Sequence, residues 1–160
     1  MDSTEYLDHT NQQLLALLQQ DARLSYAELG RQVGLSPPAV VERMRRLEEL
    51  GVITGYHAQL NPAKLGYTLT ALIDLTTTPQ QYGVIHARLA SWPEVRTCHH
   101  VTGQGSFRIE AIATSMAHLE QVIQQLSQFG TTATAIVLST PLQKQQLSLP
   151  TDLCPDGFTP

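Results

Sequence analysis

Near Gly66 the apolar residues change their period. Before it they recur at the three- and four-residue spacing of helices. After it, stretches of period two alternate with helical ones. A chain that switches period in this way needs two kinds of packing, and the pattern predicts an α+β protein with an all-helical first part. The stretch "LNPAKLGY" supplies Asn61-Pro62 and Gly66 as punctuation, so the boundary falls within residues 60–68.

The first part reads as three helices. "DHTNQQLLALLQQD" places Leu14, Leu15, Leu17 and Leu18 on one face, with Asp8 or Thr10 as the candidate cap. "SYAELGRQVGL" begins with Ser25 and carries Glu28 three residues on, the pattern of a capping box; Leu29 and Val33 face inward and Gly34 ends the helix. "SPPAVVERMRRLEELG" has Ser36 as N-cap and Pro37 at the first helical position. Its buried stripe is Val40, Met44 and Leu47, and Gly51 closes it. "VITGYHAQL" then reads as a short extended segment, a wing or a connecting strand.

The second part alternates strands and helices. "TLTALIDLTTT" puts Leu69, Ala71, Ile73 and Leu75 on one face of a strand. "PQQYGVIHARLASW" carries Ile85, Leu89 and Trp92 at helical spacing. "VRTCHHVTG" and "SFRIEAIAT" read as two strands joined by a tight turn at "TGQG". "SMAHLEQVIQQLSQF" aligns Met116, Leu119, Val122, Ile123 and Leu126, and "TTATAIVLST" is a last strand. The order βαββαβ is the ferredoxin-like arrangement. Two helices cover one sheet face, and the other face needs a partner. The last stretch, residues 143–160, holds prolines and little periodicity and reads as a partly ordered or flexible tail.

Two helices joined by the short turn "VGLS", the second one basic, form the helix-turn-helix pattern of DNA-binding proteins. The third helix has three arginines in four positions, in a chain of net charge -4. An acidic protein cannot coat DNA by bulk electrostatics, so binding would use a local surface presented more than once by an oligomer. Pro38, Glu42, Arg45 and Glu49 project opposite the buried stripe, flanked by Arg43 and Arg46. Ser36, Pro38 and Ala39 are short enough to approach base edges, while Glu42 and the three arginines lie along the rest of the DNA face. The same residues also read as solvated pairs, Glu42–Arg46 and Arg45–Glu49 at i, i+4.

The run from "LDHTNQQLLALLQQD" through "LSYAELGRQVGLSPPAVVERMRRLEELGVITGYHAQLNPAKLG" resembles the winged helix-turn-helix of the Lrp/AsnC family of bacterial and archaeal regulators. The resemblance covers about residues 7–150. It implies residues 1–66 as a DNA-binding domain with a connecting strand and residues 67–142 as the βαββαβ effector and oligomerisation domain called RAM. It implies further a cytoplasmic, nucleoid-associated transcriptional regulator that binds double-stranded DNA. Such a regulator forms homodimers and higher oligomers, often octamers, by packing sheets together. It takes an amino acid or other small ligand between RAM domains. No cofactor and no membrane partner is implied.

The family turn runs Gly, Asp, any residue, Asp, then Tyr or Phe. Here Gly103, Gln104, Gly105, Ser106 and Phe107 stand there, so both acidic positions are lost. A carboxylate suits an ammonium group better than a neutral acceptor does. Thr132 and Thr134 match the family's last strand, as ligand contacts or simply as good strand residues.

Other chemistry is thin. His99 and His100 point to opposite faces of a strand and cannot chelate one ion; Cys98 and His100 share a face but lack further ligands. Cys154 lies in the tail, a redox-sensitive thiol if exposed. No catalytic or phosphate-binding motif occurs. Sirohaem decarboxylases resemble the same two-domain architecture, and six histidines keep that enzymatic alternative open. The basic helix and "GVITGYHAQL" favour the regulator.

Overall fold

The computed structural model describes residues 6–144, 146 and 147. The chain divides into two compact units: residues 59–141 form one, and the residues on either side of that span form the other.

The first unit contains α1 (His9–Gln20), α2 (Tyr26–Val33) and α3 (Pro37–Glu49). Asp8 caps α1 by accepting a bond from the Asn11 N–H. The capping box of α2 is formed in both directions by Ser25 and Glu28, and Gly34 ends that helix in the left-handed conformation. Past α3 the Val52 N–H reaches the Leu47 carbonyl and the Gly51 N–H that of Glu48, a double bond pattern that stops the helix. Leu14, Leu29, Val40 and Met44 form the core, with Leu17, Leu18, Leu24, Val33, Leu35 and Ile53 packed around it. Leu47 is buried as well. Among the described residues, none makes a ladder hydrogen bond with segment 54–60. A lone extended segment can pair only where another backbone lies beside it. The described end of the tail is tied to this unit: the Gln19 side chain donates to the Leu147 carbonyl (3.2 Å) and accepts from its N–H (2.6 Å). The rest of the tail, Cys154 included, lies outside the described residues.

The second unit has β1 (Leu69–Thr76), α4 (Tyr82–Leu89), β2 (Val95–His100), β3 (Phe107–Ala113), α5 (Met116–Ser127) and β4 (Thr131–Ile136). The sheet order is β2-β3-β1-β4, all antiparallel. Alternation along the strands sends Ala71, Ile73, Leu75, Phe107, Ile109 and Ala111 into one core with Ile85, Leu89, Leu119, Val122 and Leu126 of the helices. Met116 departs from the expected helical stripe: as the first residue of α5 it is 58% exposed. Register places Leu72, Asp74, Arg108, Glu110, Ala133 and Ala135 together on the opposite face, which no helix of the unit covers.

The connection from α5 to β4 is short because Gly130 lies against β1. A Cβ there would sit 2.1 Å from the Thr76 carbonyl oxygen, so no other residue fits without moving backbone. The Thr77 hydroxyl also donates to the Phe129 carbonyl.

Candidate DNA-reading helix and effector cleft

The approach of α3 to α2 rests on Gly30. A Cβ at this position would meet the Leu35 carbonyl oxygen at 2.5 Å. The Leu35 N–H, in turn, bonds the Gly30 carbonyl at 2.9 Å. The turn is therefore tight, and the first residues of α3 stand clear of α2. Ser36 and Pro38 are exposed and Ala39 is partly so. Ser36 occupies the N-cap position but its hydroxyl makes no capping bond. Two prolines open α3 and remove two of the free N–H donors of a helix start. The Ser36 hydroxyl and the Ala39 N–H remain as the polar groups of that tip.

The three arginines have different surroundings. Arg43 Nη1 donates to Asp8 Oδ2 (2.7 Å) and to Asn11 Oδ1 (2.9 Å). Asn11 is buried and its amide also donates to the Tyr6 carbonyl (2.8 Å). Asp8 thus caps α1 and holds α3 with one carboxylate. Burial pushes its pKa up, but the Asn11 N–H and the Arg43 guanidinium outweigh this, and the carboxyl lies below its ordinary value. Arg46 lies over the Tyr6 ring at 4.7 Å. Arg45 reaches Glu42 on one side and Glu49 on the other. The expected Glu42–Arg46 pair is replaced by Glu42–Arg45. The hydrogen bond from Arg45 comes first among the causes that lower the Glu42 pKa. Asn11 and Gly30 escaped the sequence reading. A mid-helix Gly flanked by a capped start and a "GLS" turn was the available signal for the second.

In the other unit, an open cleft of about 780 Å³ lies where the β2–β3 turn meets the uncovered sheet face. Of the effector candidates, Gln104, Gly105 and Thr132 border it, and Gly103, Ser106, Phe107 and Thr134 do not. Ser106 is buried because its hydroxyl is spent inside: it donates to the Thr77 carbonyl (3.0 Å) and accepts from the Thr77 N–H (3.1 Å). Phe107 is fully buried and turned to the helices, since it pairs with Leu75 on the core face. Gly103 serves the turn with a φ of +109°. Thr132 shares a bond with Ser127 (3.2 Å), and Thr134, opposite Ile73, is exposed.

The cleft does contain charge, on residues the sequence reading passed over. Arg108 Nε and Nη2 hold Asp74 Oδ1 and Oδ2 at 2.8 and 2.9 Å. The Arg108 guanidinium keeps the Asp74 carboxyl below its ordinary value.

His99 and His100 fall on opposite faces as expected, and the His100 ring packs on Phe107 and Tyr82 with centroids 5.2 and 4.9 Å apart. Among the described residues no three His, Cys, Asp or Glu side chains cluster as metal ligands. Burial pushes the Cys98 thiol pKa up, away from reactivity. No described helix is long and apolar enough to cross a membrane.

A helix-turn-helix joined to an α/β domain with an open sheet face and a polar cleft is the architecture of a transcriptional regulator. Comparison with known proteins gives the same class. The AsnC-type helix-turn-helix domain matches residues 7–48 and the Lrp/AsnC ligand binding domain matches residues 70–147. The leucine-responsive regulatory protein of Rhizobium meliloti is 38% identical over 125 residues, 76% of this chain and 80% of that protein. A transcriptional regulator of Neisseria meningitidis in complex with L-Met superposes with a TM-score of 0.80 at 30% identity, covering 91% of this chain and 97% of the other. The feast or famine regulatory protein of M. tuberculosis complexed with L-methionine gives 0.82 at 34% identity, with 88% and 98% covered. The chain belongs to the Lrp/AsnC family of transcriptional regulators. Its relatives are curated as regulators, not enzymes.

Proposed function

We propose that this protein binds double-stranded DNA as a homo-oligomer, in the cytoplasm and associated with the nucleoid, and that an amino acid or similar small ligand modulates it. Residues 1–66 carry the DNA-binding role and 67–142 the oligomerisation and sensing roles. The observation that carries the reading is the tip of α3, short, exposed and held clear of α2 by the Gly30 turn. This tip can enter a major groove, with Ser36, Pro38 and Ala39 nearest the base edges. Arg45 supplies phosphate contacts: its pairs with Glu42 and Glu49 are exposed, and such pairs open at small cost. Glu42, so released, can accept from a cytosine amino group. Arg46 lies at the edge of the same surface. Arg43 acts from behind as the brace between α1 and α3.

Self-association is supported by the uncovered sheet face, where Leu72 is 38% exposed beside Ala135. Dimers and larger closed assemblies, an octamer among them, multiply the one reading head that each acidic chain offers. A gel shift on DNA from the region upstream of the protein's own gene tests the reading. A shifted band that Ser36→Ala weakens is expected. Absence of any shift at low salt overturns it.

A further inference from the structure

The side of α3 proposed to face DNA carries one large apolar residue that the core does not use. Val41 is 43% exposed, whereas Val40 beside it is fully buried. A single exposed valine is ordinary, but its setting is specific. Pro37 and Pro38, both exposed, stand four and three positions before it, and Arg45, also exposed, stands four after it. Residues at these spacings share one side of a helix. A β-branched residue at an exposed helix position gives up propensity relative to Ala, Lys or Glu, and its χ1 angle is held in one rotamer. The valine methyl groups are thus fixed at the surface between two proline rings and a guanidinium.

The hydrogen-bonding groups of this stretch are few. In the major groove, guanine is read by Arg or Lys, adenine by Asn or Gln and cytosine by a carboxylate, while thymine alone presents a methyl group. From Ser36 to Glu42 the chain reads Ser, Pro, Pro, Ala, Val, Val, Glu, with none of the residue types that read purines. The prolines bring no N–H, and Arg43, the next residue, is held by Asp8 and Asn11. We infer that Val41, with Pro38, selects thymine: the Val41 methyls pack on the C5-methyl in the major groove, and Val41 is a specificity-determining residue of the DNA face. The inference rests on the DNA-binding reading proposed above and adds the base that this helix prefers. Contact there takes apolar surface of both partners out of water, and burying one methyl group is worth about fourfold in affinity. Arg45, one turn further along the same side, reaches a phosphate while Val41 holds the base.

The test uses the full chain and gel shifts at one fixed salt concentration, since affinity varies steeply with salt. The DNA is the region upstream of the protein's own gene, prepared once with thymine and once with uracil throughout, which keeps every base pair and removes only the C5-methyl. The parent is expected to bind the uracil DNA at least about fourfold more weakly. Val41→Ser, whose folding a melting curve checks, is expected to lose a similar factor on thymine DNA and to bind both DNAs within about twofold of each other. Val41→Ile, which keeps the apolar contact, is expected to retain the preference for thymine. Equal binding of the two DNAs by the parent overturns the inference and leaves the regulator reading standing. A preference that survives in full in Val41→Ser overturns it too, because the methyl then acts through DNA shape rather than through this contact. Absence of any shift on thymine DNA at low salt overturns the regulator reading itself, and this inference with it.

Discussion

Arg43 and Arg45 stand two positions apart on α3 and serve different ends. Arg43 faces back to Asp8 and Asn11 of the α1 start, whereas Arg45 faces out between two glutamates. Arg43→Ala is expected to lower the stability of the DNA-binding unit by about 1–2 kcal/mol, because it strands a buried asparagine oxygen and removes a charged hydrogen bond. The salt dependence of DNA binding should not change. Arg45→Ala should leave the melting temperature alone and reduce the slope of log K against log salt by about 1. The reverse pattern would exchange the roles assigned to them. Asp8 adds a pH dependence. Its carboxyl lies below its ordinary value when folded, held there by the Asn11 N–H and the Arg43 guanidinium against the effect of burial. Its contribution is therefore fully present above the unfolded pKa and is lost as the pH falls through the folded one. Asp8→Asn is expected to flatten that part of the acid limb of a melting-temperature profile, below about pH 4. The triplet of arginines was visible in the sequence as one basic cluster. Its division was not, because it depends on where the start of α1 packs against α3.

At the scale of elements, local signals carried over well. Ser25 with Glu28 cap α2, Gly34 stops it, and Val40, Met44 and Leu47 are buried together. These are short-range effects, written within a few residues. Gly30 is different. In a helix it reads as a mild weakness, yet it is the point where the Leu35 carbonyl touches α2. Gly30→Ala is expected to destabilise the unit by roughly 1–3 kcal/mol despite the better helix propensity, through overpacking against backbone. Chemical denaturation checks this, and a stabilised variant would mean that the turn relaxes freely. The effector turn shows the opposite case. Alternation along β3 already sends Phe107 to the core and Arg108 to the open face. What the sequence could not display was the partner, since Asp74 lies 34 positions away and only the β1–β3 register brings it across. Segment 54–60 has a related gap: its residues suit a strand, but a strand exists only when another backbone pairs with it.

For the whole molecule the central fact is charge. A chain with a net charge of -4 is repelled by DNA at long range, and on the reading proposed above the groups that would attract it are confined to one helix per chain. Useful affinity then depends on several tips held together, so that each later contact forms at a high effective concentration. The uncovered sheet face is the surface that can gather the chains, because Leu72 is a large apolar side chain left on it without a helix above. A charge at that position should block sheet-on-sheet packing without touching the core on the other face. Leu72→Arg is expected to sediment as a smaller species with an unchanged helix and strand signal in circular dichroism. Its affinity for DNA bearing several sites should fall by more than tenfold. Its affinity for a short duplex with one site should stay within about twofold of the parent, since a single tip gains little from assembly. If the variant keeps the parent's sedimentation, the sheet face is not the assembly surface. If it dissociates yet binds the long DNA as before, the link between assembly and DNA affinity is wrong.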